Sequence, residues 1–384
     1  MSLFLLVFFL LYGALHAHAF LKARAAFDIG ARTSIILVFF FALMVLAPII
    51  VRQAENAGLE LFARITAYAG YFWMGIIFLF FSASLLTDLY RLFVYLSGSL
   101  LHKDLTLFIL SAKAAFLIPL LISLCVSVYG YREALNIGTE HLTIRTEKLP
   151  QGVDRLRIVQ ISDVHLGLIV RRERLGLILE KVKEANPDIL VSTGDLVDGQ
   201  INHLEGLAEM LKEIKPRYGK YAVLGNHEYY AGIKQALAFK NAAGFMLLRA
   251  EGVSIDNVIT LAGVDDPAAK YLGVYNEVNE KALLSSFPRD RFTVLLKHRP
   301  LIAPESVGLF DLQLSGHVHK GQIFPFSLLT KLYYPNYAGL LKVDGSLLYV
   351  SRGAGTWGPP IRFLARPEVT VIDIVRDNED KGRS

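Results

Sequence analysis

The chain of 384 residues contains one cysteine, Cys125. No intrachain disulfide is therefore possible, and a lone cysteine in an apolar run is ordinarily a small hydrophobe. No dense Lys/Arg run interleaved with aromatics occurs, which argues against a nucleic-acid partner. The formal net charge of +5 is mild and suits a protein resting near anionic lipid headgroups. No internal repeat or low-complexity segment is visible, and nothing in the sequence points to a protein partner. Charge is scarce in the first third, where Leu, Phe, Ile, Ala and Val dominate up to about residue 130. From about Tyr131 the composition is that of an ordinary soluble protein. So sharp a shift marks a domain boundary, with 1–133 as a transmembrane region, 134–150 as linker and leading strand, and 151–384 as the domain that carries chemistry.

Four apolar stretches are long enough to cross a bilayer, which takes about 20 helical residues each. They lie near 2–20, 35–51, 67–87 and 105–130, the third running on as an amphipathic piece through Tyr95. Pro48 falls near the end of the second, and Lys113 in the fourth snorkels toward an interface or faces a partner helix. Ala17-His18-Ala19 has the form of a signal-peptide cleavage site. No positive residue precedes the run, however, and it is long for such a core, so the reading is a retained helix. His16 and His18, two apart, do not share a helix face and are expected at headgroup level. Lys22, Arg24 and Arg32 make the first loop cytoplasmic by the positive-inside rule. With four crossings, the N-terminus and the domain at 151–384 then lie outside the cytoplasm, in a multi-pass protein of the bacterial cell membrane. A single intramembrane charge argues against a transport path.

Beyond about Glu140, strand-like and helix-like segments alternate, which implies an α/β domain. Strands are expected at 155–162, 188–193, 221–224, 292–297, 311–314 and 347–351, and helices at 171–185 and 203–214. The charged end, 377–384, is expected to fray. The informative residues stand just past the strands. Asp163-Val164-His165 comes after the first, Gly194-Asp195-Leu196-Val197-Asp198 after the second and Gly225-Asn226-His227-Glu228 after the third. His298 comes after the fourth, and Gly316-His317-Val318-His319 after the fifth. If these strands share a sheet, their polar ends converge on one rim, where α/β sheets bind ligands. Of ten histidines, five fall in these motifs, each directly after an apolar strand. Carboxylate, amide oxygen and imidazole suit Mn²⁺, Fe²⁺ or Zn²⁺, and the lack of thiolate excludes a structural Cys-zinc site. Seven such side chains are too many for one closed tetrahedral ion and suit two. The glycines before Asp195, Asn226 and His317 permit close backbone approach.

The ordered pattern Asp-x-His, Gly-Asp-x-x-Asp, Gly-Asn-His-Glu, His, Gly-His-x-His resembles the calcineurin-like metallophosphoesterase family over 149–375. The closing stretch, 351–356 through 366–368, is similar to the bacterial, often membrane-attached or exported, YkuE-type branch. That branch commonly has Gly-His-Thr-His-Gly-Gly-Gln. Here the run is Gly316-His317-Val318-His319-Lys320-Gly321-Gln322, so Lys320 adds a cation that contacts a phosphate or alters substrate choice. The resemblance implies a four-layer sandwich of two mixed β-sheets flanked by helices. It implies one ion on Asp163, His165 and His319, a second on Asn226, His298 and His317, and Asp195 between them. His227 would face the substrate phosphate, and Asp198 and Glu228 would orient the ligands.

The function expected is a membrane-anchored phosphoesterase, cleaving a phosphomonoester, phosphodiester or pyrophosphate bond through a dinuclear centre and a bridging hydroxide. Its partners would be the bilayer and a phosphoester, with lipid-linked or cell-envelope compounds fitting the tether. The alternative is a metal-binding sensor on the same fold with little turnover.

Overall fold

The structure is a computed structural model that describes residues 3–199, 204, 206–272 and 279–377. The chain divides into two compact units, Met1–Arg132 with Gly358–Ile361, and Glu133–Trp357 with Arg362–Ser384.

The first unit is built on α1 (Leu3–Ala26), α2 (Ala31–Asn56), α3 (Glu60–Leu101) and α4 (Ala112–Leu135), and each coincides with a span long and apolar enough to cross a membrane. The third expected stretch is a fragment of the 42-residue α3, which is about 63 Å long at 1.5 Å per residue and so exceeds the hydrocarbon core. Pro48 lies well inside α2, where neighbouring helices in lipid tolerate the lost hydrogen bond. Small residues let the helices approach. A Cβ on Gly70 would stand 2.5 Å from that of Ala47, the packing expected where lipid supplies no hydrophobic drive between helices. His16 faces the other helices of its unit. It is buried, with Nδ1 donating to the Tyr12 carbonyl at 2.8 Å and Nε2 accepting from Trp73 Nε1 at 2.9 Å. The helix turn sets it toward α3 and the indole satisfies it there. Lys22 pairs with Asp88.

The second unit holds two six-stranded sheets. Its strands are β1 (Gly138–Thr146), β2 (Arg155–Ile161), β3 (Ile189–Ser192), β4 (Lys220–Ala222), β5 (Met246–Leu247), β6 (Glu251–Ile255), β7 (Ile259–Val264), β8 (Phe292–Lys297), β9 (Leu312–Ser315), β10 (Gly339–Val343), β11 (Ser346–Val350) and β12 (Glu368–Arg376). Its helices are α5 (Arg172–Ala185), α6 (Leu207–Lys212), α7 (Asn226–Ala231), α8 (Ile233–Ala242), α9 (Glu280–Ser285) and α10 (Phe326–Tyr333). The sheet orders are β1-β12-β2-β3-β4-β5 and β10-β11-β9-β8-β7-β6. Each is mixed: β12 runs antiparallel to β2, and β7 to β6, while β2, β3 and β4 are parallel to one another, as are β7, β8 and β9.

β2, β3, β8 and β9 are apolar on both faces because each sheet is covered twice. Ile158, Val191, Val294 and Leu314 pack between the sheets. Val159 and Leu190 pack outward against Leu175, Ile178 and Val182 of α5, whose i, i+3, i+7 spacing is one helix face. Leu284 of α9 packs against Leu295 behind the second sheet. The result is helix, sheet, sheet, helix, the expected four-layer sandwich. Of the expected helix at 203–214, the described part is α6, and His203 lies outside the described residues, as do 378–384 of the charged end.

Candidate metal centre

The five strand ends do not belong to one sheet. β2, β3 and β4 end on the first sheet, and β8 and β9 on the second. The parallel register sets neighbouring ends level, with Ile161 beside Ser192 and Ser192 beside Ala222. The motif residues therefore meet across the mouth of the sandwich rather than along one rim. The backbone turns sharply there. Asp163, His165, Asp195, His317 and His319 all have positive φ, between 47° and 73°, a region non-glycine residues enter at a cost of about 1–3 kcal/mol each and mostly at functional sites. Two glycines permit the crowding. A Cβ on Gly225 would collide with the Asp195 carboxylate, and one on Gly316 with Ser162 Oγ and the Asp163 carboxylate.

Three three-residue groups result, each with donor atoms within 4.8 Å of one another: Asp163, His165 and His319; Asp195, His298 and His317; and His165, Asp195 and His227, which joins the first two. In the first, His165 Nε2 stands 3.0 Å from His319 Nε2, and Asp163 Oδ1 lies 3.6 Å from His319 Nε2. In the second, His298 Nε2 faces Asp195 Oδ2 at 3.1 Å, Asn226 Oδ1 at 3.2 Å and His317 Nδ1 at 3.2 Å. A carbonyl only accepts, so the 2.8 Å contact of His298 Nδ1 with the Thr193 carbonyl places that ring's proton on Nδ1. In the neutral ring, the Nε2 lone pair then points at an anionic and an amide oxygen, the arrangement a divalent cation relieves. Asp195 Oδ2 also lies 3.9 Å from His165 Nε2, so one oxygen faces both groups. The donor set, hard oxygens with imidazoles, fits first-row divalent ions.

The electrostatics divide the donors. Burial, opposed by His298, raises the Asp163 carboxyl to about 6. Burial would raise Asp195 too, but His298 and His227 outweigh it and hold Asp195 well below the usual range. Burial lowers His298, and the carboxylates of Asp195 and Asp163 override it, taking it to about 10. Burial takes His165 down to about 4, with His227 adding to the effect. His317 and His319 are pushed well below the ordinary imidazole value, first by burial and then by cationic neighbours. Neutral imidazoles are the metal-ligating form, which His165, His317 and His319 already favour and which His298 reaches by giving up a proton.

His227 opens the first turn of α7, its N–H donating to Asp195 Oδ1 at 2.8 Å and its Nδ1 lying 2.7 Å from Asp198 Oδ1. Asp198 thus fixes one tautomer and leaves Nε2 for the site. Burial lowers His227, but Asp195 and Asp198 overcome it and raise the ring to about 9. Glu228 acts on the backbone. Its carboxylate accepts from the N–H groups of Asp195 (2.9 Å), Leu196 (2.7 Å) and Gly225 (2.7 Å) and pairs with buried Lys240 at 3.1 Å. It clamps the β3 and β4 loops together. Lys320 sits half-buried in the turn after His319, at φ 52°.

Sequence reasoning missed Arg362. Fully buried, it donates to the carbonyls of Arg352 (2.8 Å) and His319 (3.1 Å) and from Nη2 to His319 Nδ1 at 2.8 Å. An arginine only donates, so neutral His319 keeps its proton on Nε2, and a cation bound there displaces it. The closing loop packs beneath the ligands, with Ala354 and Gly355 N–H groups donating to the carbonyls of Ser162 (2.8 Å) and Asp163 (2.9 Å). Trp357 and Tyr230 flank His227 at 6.0 and 5.6 Å between ring centres. Only Gly-Pro-Pro before Arg362 marked that segment as irregular, and no local pattern marks a buried arginine.

Residues 156–321 match the family model described as calcineurin-like phosphoesterase. The chain is 41% identical over 256 residues to an uncharacterized metallophosphoesterase of Aquifex aeolicus, covering 66% of this chain and 97% of that protein. It is 32% identical over 269 residues to the uncharacterized metallophosphoesterase YkuE of Bacillus subtilis, covering 65% and 91%. It is 36% identical over 270 residues to a transmembrane protein with metallophosphoesterase domain of Danio rerio, covering 66% of this chain and 61% of that protein.

Proposed function

Since this chain belongs to the calcineurin-like metallophosphoesterase family and is a phosphoric ester hydrolase with apolar helices for membrane integration, we propose that it hydrolyses its phosphoester at a dinuclear metal centre. Asp163, His165 and His319 hold one ion, Asn226, His298 and His317 the other, and Asp195 is shared. The observation that carries this is Asp195 Oδ2, 3.1 Å from His298 Nε2 and 3.9 Å from His165 Nε2. Mn²⁺, Fe²⁺ and Zn²⁺ all fit these donors. Two such ions, when bound, lower the pKa of water and neutralise charge on phosphoryl oxygens.

The chain's own residues do the rest. His227, whose imidazolium the Asp198 carboxylate favours, donates from Nε2 to a phosphoryl or leaving oxygen. Asp198 orients that ring. Glu228 and Lys240 hold the β3 and β4 loops at their spacing, and Arg362 fixes His319 and the closing loop. Lys320 adds positive charge for a phosphate. The tether supports a lipid-linked or cell-envelope substrate in the bacterial membrane. Arg24 and Arg32 near the first loop support a catalytic unit outside the cytoplasm.

The test is hydrolysis of bis-p-nitrophenyl phosphate and p-nitrophenyl phosphate by the full chain in detergent, with Mn²⁺ or with chelator. Metal-dependent release that falls at least about a thousandfold in Asp195→Asn is expected from losing a shared ligand and its charge stabilisation. Retention of a tenth of wild-type activity in that variant would remove the shared role. Stoichiometric metal without release from either reporter would favour a sensor.

A further inference from the structure

Between Asp311 and Asp344 the chain has no carboxylate, and it carries Lys320, Lys331 and Lys342. The same stretch holds α10, which buries none of its eight residues. Leu332 is 81% exposed, Tyr333 73%, Leu329 59% and Leu328 57%. Phe324 just before the helix is exposed too, as are Leu340 on the edge strand β10 and Leu364, which follows the Phe363 carbonyl that the Phe324 N–H meets at 3.1 Å. Monomeric proteins rarely show water a contiguous apolar patch beyond a few hundred Å², and larger ones mark membrane or protein contacts.

The helix is fastened to the metal centre at both ends. A Cβ on Gly321 would collide with Ser327 Cα, so the turn after His319 lies directly on the start of α10. At the other end Tyr334, nearly buried, packs edge-on against His317 at 5.6 Å. Whatever covers α10 therefore lies beside the phosphoester site.

Charge and chain length identify the occupant. Leu, Phe and Tyr beside Lys331 on α10, with Lys320 and Lys342 to either side in sequence and no carboxylate in the stretch, suit a segment lying in the interface of an anionic bilayer. Only Asn136 and Ile137 separate the end of α4 at Leu135 from the start of β1 at Gly138, a link of about 10 Å at most. The catalytic unit is thus joined by two residues to a helix of membrane-spanning length.

We propose that the apolar face of α10 inserts into the bilayer interface and sets the metal centre at headgroup level, so that the site takes phosphoesters of membrane lipids. The proposed function enters only in naming the site beside the docked helix.

The test places a nitroxide on the full chain, reconstituted in vesicles of phosphatidylcholine and phosphatidylglycerol. With Cys125→Ser as background, Leu332→Cys carries the label, and Lys183→Cys on α5 is the control. Circular dichroism melting checks folding, so absent hydrolysis would count against the phosphoesterase reading and leave the immersion result standing. The label at 332 is expected to meet dissolved oxygen more than an aqueous nickel chelate, and the label at 183 the reverse. Preference for the chelate at 332 overturns the proposal. So does dipolar broadening at 332 that disappears on dilution with unlabelled chain, because a second copy would then cover α10.

Discussion

The two units use the same side chains in opposite ways. In the membrane unit many Leu, Ile and Phe point outward, Phe39 and Phe62 among them, while the interior mixes Ala47, Ala63, Ala67 and Ser84 with Ile77, Leu79, Phe80 and the His16 ring that Trp73 bonds. In the catalytic unit Leu156, Ile158, Val191 and Leu314 are fully inside. The difference comes from the solvent. Against lipid an apolar side chain gains nothing by turning inward, so close approach of small residues holds the helices together. Against water, burial of apolar surface drives the sandwich and leaves strand ends free for chemistry.

If the units divide labour in this way, His227→Gln should lower reporter turnover by about 10²–10⁴-fold, the usual worth of a positioned proton donor, with metal content unchanged by elemental analysis. Loss of metal in that variant would make His227 a ligand. Lys240→Met strands the buried Glu228 carboxylate and should destabilise the catalytic unit by about 3–5 kcal/mol, read as a lower thermal midpoint in detergent. An unchanged midpoint would mean that the backbone N–H groups of Asp195, Leu196, Val197 and Gly225 suffice to hold Glu228. Asp198→Asn should cost about 10–100-fold, as loss of an orienting partner does, and should move the alkaline limb of the pH–rate profile. The sign is set by the pair. Its carboxylate helps hold the imidazolium up to about 9, so the amide lets the proton leave at lower pH and the limb shifts acidward. A limb that stays put would detach the pair from the rate. The smallest effect belongs to the membrane unit. Gly70→Leu overfills the contact with Ala47 and should cost about 1–3 kcal/mol while turnover below the melt stays at wild-type level. A parallel fall in turnover would show that the units are coupled.

Much was legible because it is local. The apolar length of the four spans and the strand-then-Asp/Asn/His rhythm can be counted along the chain. The hairpin of β6 and β7 went unread although Asp256 and Asn257 at its turn have positive φ, the geometry of a tight primed turn. β5 is two residues long and leaves no period to detect. β12 crosses between β1 and β2, a pairing no neighbouring residue announces.

The sequence by itself determined the classes of residue, four lipid-length helices, an α/β domain and the seven donors, since each depends on what stands within a few positions. Only the tertiary structure decided that the donors come from two sheets and that Asp195 faces both groups. It also decided that Glu228 grips backbone, that His16 is bonded inside its helices and that Arg362 stands against His319. Those outcomes depend on which distant carbonyl, carboxylate or ring each group meets on burial. A buried polar group must find a partner wherever the fold supplies one, and the sequence carries no local mark of where that is.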